Sequence, residues 1–440
     1  MEIWLSDYGI RPCAMASTGN TIPDLGPLTS AIISDPGIDT PEAQQTPPQG
    51  PRVSHQYSGV AEVDAPAPVQ DEVEDSLPHR RSFLEDERVE ERVEAGAQVS
   101  NALTRRKQID LVTTVCWLVF FSIWGALARI GLSALTTYPG SPIAGVIWAN
   151  FAGCFVMGFM AEEIRFFAGP PALNDHSNGN GAEIKRTAED NHWSIDKKAI
   201  PLYIGITTGF CGSLTSFSTW MRDSFWAMSN THPAHPRYRG YNVEALLAQM
   251  IATVALSVGG LKAGAHFALF LRPFIPTMPT SFRLHLDMVG LVLGPACWIS
   301  VIIMAIFIPK WRGILLFSGV FAPLGTLLRF LVSKRLNPLL PSFPLGTFSV
   351  NVSGSMIDAA FILLQSYSGV SFVGCEILQG LEDGLCGCLT TVSTWVVEIT
   401  TLRRSHAYRY GMASVLCGFA SFVVILGTYT WDHGLDPRKC

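Results

Sequence analysis

The sequence predicts an all-α integral membrane protein of nine spans, built as two inverted four-helix repeats joined by a single linker transmembrane helix, with the third helix of each repeat broken. Three observations predict it. The 440 residues are 48% hydrophobic and only 15% charged, richer in apolar and poorer in charged residues than ordinary soluble domains. Beyond residue 104, nine segments meet or approach the roughly 20 apolar residues that a helix needs to cross a hydrocarbon core of about 30 Å. Three motifs recur in the same order in the two halves, the mark of an internal duplication.

Residues 1–104 come first and form an acidic, disordered cytoplasmic tail. Pro47-Pro48 and the run from Asp71 to Asp75 leave too little apolar surface to fold. Within it the charged run Leu84–Glu94 reads as a short solvated helix. The first 30 residues lack a basic region followed by an apolar one, so no signal peptide is expected. The first four-helix repeat occupies 105–271, with spans near 109–135, 143–166, 200–225 and 245–271; a polar, Gly/Asn-rich insertion at 169–199 separates its second and third spans. A linker at 272–311 carries the fifth span, 286–309. The second repeat follows at 312–433, with spans near 313–333, 345–366, 378–400 and 408–430, and 434–440 is a C-terminal tail.

Basic residues set the orientation. Arg105, Arg106 and Lys107 place the N-terminus in the cytoplasm, where Lys185, Arg186, Lys197, Lys198, Arg272, Arg283, Lys334, Arg335, Arg403 and Arg404 then also fall. Arg222, Arg237, Arg239, Lys310 and Arg312 fall outside and oppose this scheme. Four spans per repeat would leave both copies oriented alike, and the unpaired fifth span inverts the second copy. Functional sites gather near the interface of such inverted repeats.

The repeat is carried by three pairs. Gly125-Ala-Leu-Ala-Arg129 recurs as Gly325-Thr-Leu-Leu-Arg329, and Asn150-Phe-Ala-Gly153 as Asn351-Val-Ser-Gly354. The stretch Gly209 to Trp220 (GFCGSLTSFSTW) recurs as Gly384 to Trp395 (GLCGCLTTVSTW). This third motif puts glycines and hydroxyls at mid-membrane. A broken helix there exposes carbonyls that protein, ion or water must satisfy; close packing through small residues is the other reading. Asn150 and Asn351 lie mid-span, as donors to an anion or as ties between helices. Asn351-Val-Ser is formally a glycosylation sequon, at a depth that excludes modification.

Arg129 and Arg329 read as snorkelling anchors or structural pairs, with anion attraction as the alternative. Asp223 and Glu398 follow the two Ser-Thr-Trp motifs at one spacing and are their natural partners, while Asp358 has none assigned. Phe217, Trp220 and Trp395 flank the breaks, as packing or as ring edges turned to an anion. The ten cysteines read as packing residues; Cys386-x-Cys388 lacks a second pair or a histidine, so no metal site is expected. No Ser/His/Asp set, metal cluster or phosphate-binding glycine loop lies on the spans, which speaks against an enzyme. The net charge of -5 comes largely from the tail and implies no nucleic-acid partner.

These motifs together, G-x-L-x-R, N-x-x-G and G-x-C-G-x-x-T-[ST]-x-S-T-W, resemble the Fluc-type (CrcB) fluoride channels, and the doubled form with a linker helix resembles the eukaryotic FEX fluoride export proteins. The likeness covers residues 110–430. It implies a single fused chain in the plasma membrane that lets fluoride leave passively, driven by a potential negative inside. By position it implies Asn150 and Asn351 as pore amides, Phe217, Trp220 and Trp395 as pore aromatics, and Ser257 (or Thr253) and Ser414 as a polar track. It implies Arg129, Arg329, Asp223 and Glu398 as vestibule or structural charges. A structural sodium ion is implied on the backbone of Gly212, Thr215, Gly387 and Thr390, with no organic cofactor. Val392 departs from the family pattern, standing where the first pore phenylalanine of the second-half motif belongs, so one working pore of two is expected. A non-transporting membrane scaffold and a transporter of another small ion are the competing readings.

Overall fold

The computed structural model describes residues 78–138, 144–163, 166–167, 199–229, 240–276, 279–367 and 369–434; for 78–103, 280 and 281 it describes the backbone alone. The tail before residue 78, the 169–198 part of the insertion and the basic residues 185, 186, 197, 198, 237 and 239 lie outside the described residues.

The described residues are helical throughout, with no strand among them. Helix α1 (Pro78–Thr136) starts upstream of the boundary at 105 and absorbs the 84–94 segment into one continuous helix. It is followed by α2 (Val146–Glu162), α3 (residues 201–214) and α4 (Phe217–Ser229). Next come α5 (Tyr241–Leu271), α6 (Thr280–Phe307) and α7 (residues 309–336). The last four are α8 (Leu345–Gln365), α9 (residues 372–389), α10 (Ser393–Thr401) and α11 (residues 404–433). Gly240 opens α5 at φ +97°, a left-handed turn that a side chain would strain.

Among the described residues, six helices are long and apolar enough to cross a bilayer: Thr104–Thr136, Tyr241–Leu271, Phe282–Phe307, Pro309–Leu339, Leu345–Gln365 and Arg404–His433. Helix α2 is apolar but shorter, and the third motif in each half is divided between two helices, α3/α4 and α9/α10. Val292, Ile299, Ile303 and Phe307 on α6 are exposed, an outward apolar surface suited to hydrocarbon. Helices α2 and α5 meet through glycine: a Cβ at Gly158 or Gly264 would overlap a backbone carbonyl of the other helix. The largest core cluster gathers Phe217, Trp220, Val392, Trp395, Tyr410 and Phe422, so the densest packing lies at the two helix breaks.

Candidate functional site: two helix breaks joined to each other

Helices α3 and α9 each run through a π-helical stretch, Gly205–Cys211 and Leu381–Cys386, then end on an extended residue, Thr215 (ψ 146°) or Thr390 (ψ 153°). Wide turns of this kind recur at functional sites. Each break must find partners for the orphan groups of two helix ends, and the two breaks supply each other. Thr390 Oγ1 donates to its own Cys386 carbonyl (3.1 Å) and accepts the Ser218 N–H (3.0 Å) at the start of α4. At the matching place, Thr215 Oγ1 donates to the Cys211 carbonyl (3.0 Å) and accepts the Ser393 N–H (3.1 Å) at the start of α10. Each threonine caps a helix of the other half.

The two asparagines hold the same loops. The Asn150 Oδ1 accepts the Ser216 N–H at 2.9 Å, and the Asn351 Oδ1 accepts the Thr391 N–H at 2.8 Å. The Asn351 amide also donates to the Thr391 carbonyl (3.1 Å), whereas Asn150 Nδ2 has no partner among the described residues. Both side chains are fully buried.

Arg129 and Arg329 are not snorkelling anchors, for each is only 2% exposed. Nor do they pair with Asp223 and Glu398. Arg129 donates to the carbonyls of Ser213 (2.5 Å), Gly387 (2.7 Å) and Asp383, and Arg329 to those of Cys388 (2.9 Å) and Thr208 (2.9 Å). The physical reason is the break itself: carbonyls released from a helix ladder need donors, and a guanidinium offers five. Gly212 and Gly387 admit these groups, since a Cβ at Gly212 would overlap the Arg329 guanidinium and one at Gly387 that of Arg129.

Phe217, Trp220 and Trp395 form one aromatic group at the breaks. Phe217 meets Trp220 edge-on (centroids 5.3 Å) and Trp395 across the halves (6.0 Å). Both indole N–H groups are buried without a partner among the described residues. Phe217 also packs on Gly418 of α11. Ser414, on that helix, donates to the Tyr410 carbonyl (2.8 Å); on α5, Thr253 donates to the Gln249 carbonyl, and the buried Ser257 hydroxyl has the Cys154 thiol as its neighbour.

Reading the sequence missed how the acids are held. Glu398 accepts from Thr347 Oγ1 (2.6 Å), Tyr410 Oη (2.5 Å) and Asn337 Nδ2 (3.3 Å). Asp223 pairs with the adjacent Arg222 at 3.3 Å, and Arg222 also reaches Glu382 of α9. Thr347, Asn351, Ser355 and Asp358 share one buried face of α8, at helical spacing, a polar stripe that the sequence offered by periodicity alone. The matching face of α2 reads Val146, Asn150, Cys154 and Met157.

The CrcB-like protein, Camphor Resistance (CrcB) family profile matches residues 116–265 and 316–428. Fluoride export protein 1 of Neurospora crassa is 44% identical over 375 residues, 76% of this chain and 70% of that protein. Fluoride export protein 1 of Candida albicans is 37% identical over 335 residues, 72% of this chain and 80% of that one. The Fluoride-specific ion channel FluC of Acinetobacter baumannii (strain ACICU) is 36% identical over 115 residues, 25% of this chain but 89% of its own. No solved structure matches the chain significantly.

Proposed function

The chain belongs to the CrcB-like family, and from that premise we propose that it is a passive fluoride-selective channel, not an enzyme, that exports cytoplasmic fluoride across the plasma membrane. Buried hydrogen-bond donors without partners among the described residues at the two breaks carry this reading: the Trp220 and Trp395 indoles. A dry donor is costly to leave unmade, and fluoride, small and strongly hydrated, needs closely spaced donors to replace its water. The edges of Phe217 add a neutral, weakly positive wall.

The same premise carries the finer architecture. We read nine spans in two inverted repeats, at 105–271 and 312–433, with the linker helix of 272–311 between them, the N-terminus in the cytoplasm and one fused chain as the working unit. The hydrogen bonds that recur at matching positions, Arg129 to Ser213 and Arg329 to Cys388, support it. Of two tracks, we assign conduction to the one on the α8/α11 side. It holds Phe217, Thr347, Asn351, Ser355, Tyr410 and Ser414, whereas the α2/α5 side pairs Asn150, Thr253 and Ser257 with Val146, Met157 and Val392.

A structural sodium ion fits the carbonyls of Thr215 and Thr390, neutral hard oxygens of the kind a small cation takes; their residues are drawn together through Thr391, whose Oγ1 lies 3.2 Å from that of Thr215. Gly387 fits less simply, because its carbonyl already accepts from Arg129. The ion would tie the two breaks electrostatically, a role that the threonine caps share.

The test is fluoride efflux from liposomes holding the full chain, with a potassium gradient and valinomycin. Fluoride release without chloride release, lost in Asn351→Asp and Phe217→Ile but kept in Ser257→Ala, is expected. Release no faster than from empty liposomes would favour a scaffold, and equal chloride release a transporter of another kind.

A further inference from the structure

A second polar constellation, with Glu382 and Asp358 buried at its centre, lies beyond the breaks. Arg222 of α4 donates to the Glu382 carboxylate of α9, lies 3.8 Å from Asp383 and holds Asp223 at 3.3 Å. Glu382 is 1% exposed. The Asp383 carboxylate accepts from Gln379 (2.6 Å), which meets Gln365 at 3.3 Å. Asp358, fully buried on α8, faces the same cluster; the Ser218 hydroxyl is near, yet neither carboxyl oxygen has a hydrogen-bond partner among the described residues.

The repeat itself says that this cluster is not needed to build the fold. Aligned on Gly209/Gly384 and Asn150/Asn351, Arg222 stands where the other half has Val397, Glu382 where it has Thr207, Asp383 where it has Thr208, and Asp358 where it has Met157. The symmetry-related place, made of Val397 from the second half and Thr207, Thr208 and Met157 from the first, carries none of these charges. Ionisable groups at membrane depth are costly and mark ion paths or water-filled cavities. The cluster also continues the polar stripe of α8, following Asn351 and Ser355 toward the C-terminal end of that helix.

A lone arginine in a narrow low-dielectric path would hold an anion too tightly to conduct, for conduction needs sites that bind and also let go. A carboxylate paired with that arginine competes with the passing anion for the same N–H groups. We propose that Arg222 is a further binding site for the permeating anion, and that Glu382, backed by Asp383 and Asp358, is the tethered competitor that keeps the site weak. This rests on the channel reading above.

The experiment is fluoride efflux from liposomes over a range of internal fluoride concentrations, for the full chain and for Glu382→Gln, Arg222→Gln and Arg222→Lys, each first passed as a single species on size exclusion. Glu382→Gln frees the guanidinium, so the half-saturating fluoride concentration falls about tenfold, the worth of one charged hydrogen bond, and the maximal rate falls with it. Arg222→Gln leaves the acids uncompensated and lowers efflux by a similar factor at all concentrations, while Arg222→Lys keeps part of the rate. If Arg222→Gln fails to fold, Glu382→Gln decides alone. An unchanged half-saturation in Glu382→Gln overturns the proposal and makes the cluster a packing device. A wild-type chain that releases no fluoride is instead the failure of the channel reading.

Discussion

Replacing Thr390 by valine keeps the shape of the side chain and removes only its hydroxyl. That oxygen accepts the Ser218 N–H at 3.0 Å and donates to the Cys386 carbonyl at 3.1 Å, in a place with no exposure. The substitution therefore strips the cap from α4 and orphans a buried donor. Loss of a cap costs about 0.5–2 kcal/mol and an unmade buried hydrogen bond about 1–3 kcal/mol. The two overlap, because the capped N–H is the orphan, so the net is about 2 kcal/mol. Thermal unfolding of the purified chain in detergent, followed by tryptophan fluorescence, should show Thr390→Val unfolding several degrees below wild type and Thr390→Ser close to it. Because Thr215 performs the same service in reverse, with the Ser393 N–H at 3.1 Å, Thr215→Val should cost about as much. The two substitutions together should be non-additive, since both loosen one joint. A Thr390→Val chain as stable as wild type, with unaltered efflux, would refute the claim that the breaks are held by reciprocal capping.

Other perturbations address the same centre from different sides. Gly387→Ala should displace the Arg129 guanidinium and abolish efflux, with loss of the single species on size exclusion, whereas Gly131→Ala, where a Cβ meets nothing within 4 Å, should leave both intact. Tyr410→Phe removes a 2.5 Å hydrogen bond to a buried carboxylate, worth about 1.5–3 kcal/mol, and should lower both the unfolding temperature and the efflux rate; Tyr410→Phe efflux equal to wild type would remove Tyr410 from the path. Sodium should raise the unfolding temperature of the detergent-solubilised chain more than potassium does at equal ionic strength, and equal shifts would count against the carbonyl site. Val392→Phe, in a position with no exposure, should overpack the aromatic cluster at about 1–3 kcal/mol and should not rescue Phe217→Ile in the efflux assay.

How far the sequence carried the reading depended on which interactions are local. Apolar run length identified the long helices, because hydrocarbon thickness sets it directly. The third motifs were legible as breaks because glycines and hydroxyls at that depth are poor choices for an intact helix, and Thr215 and Thr390 are indeed the points where helix gives way to extended chain. The arginines were misread for the same reason that the breaks were read correctly. A charge near a helix end ordinarily snorkels or seeks a carboxylate, but here the nearest need was a set of freed carbonyls, 84 and 258 residues away in the chain for Arg129. Spacing along the sequence contains no information about that. By sequence alone Arg222 counts against the orientation and Asp358 has no assigned partner, because the cluster joins three helices and only the fold brings Glu382 to Arg222.

The pattern of likeness and difference between the halves follows from where they touch. At the breaks, each half needs the other's threonine to cap a helix and the other's carbonyls to satisfy an arginine, so a change in one half is felt at once in both. Arg129, Asn150, Gly212, Thr215 and Trp220 accordingly stand opposite identical residues, Arg329, Asn351, Gly387, Thr390 and Trp395. One and two turns further along α2 and α8 that mutual dependence ends, and the matched positions part into Cys154 against Ser355 and Met157 against Asp358. A free-standing pair of identical subunits could not separate these demands, because every change would appear twice. On the two-track reading proposed above, fusion into one chain would let the shared joint stay symmetric while one track gathers hydroxyls and charges and the other gathers methyls and sulfur. Val392, on the aromatic cluster and matched in the first half by Phe217, marks how close to the joint that divergence has reached.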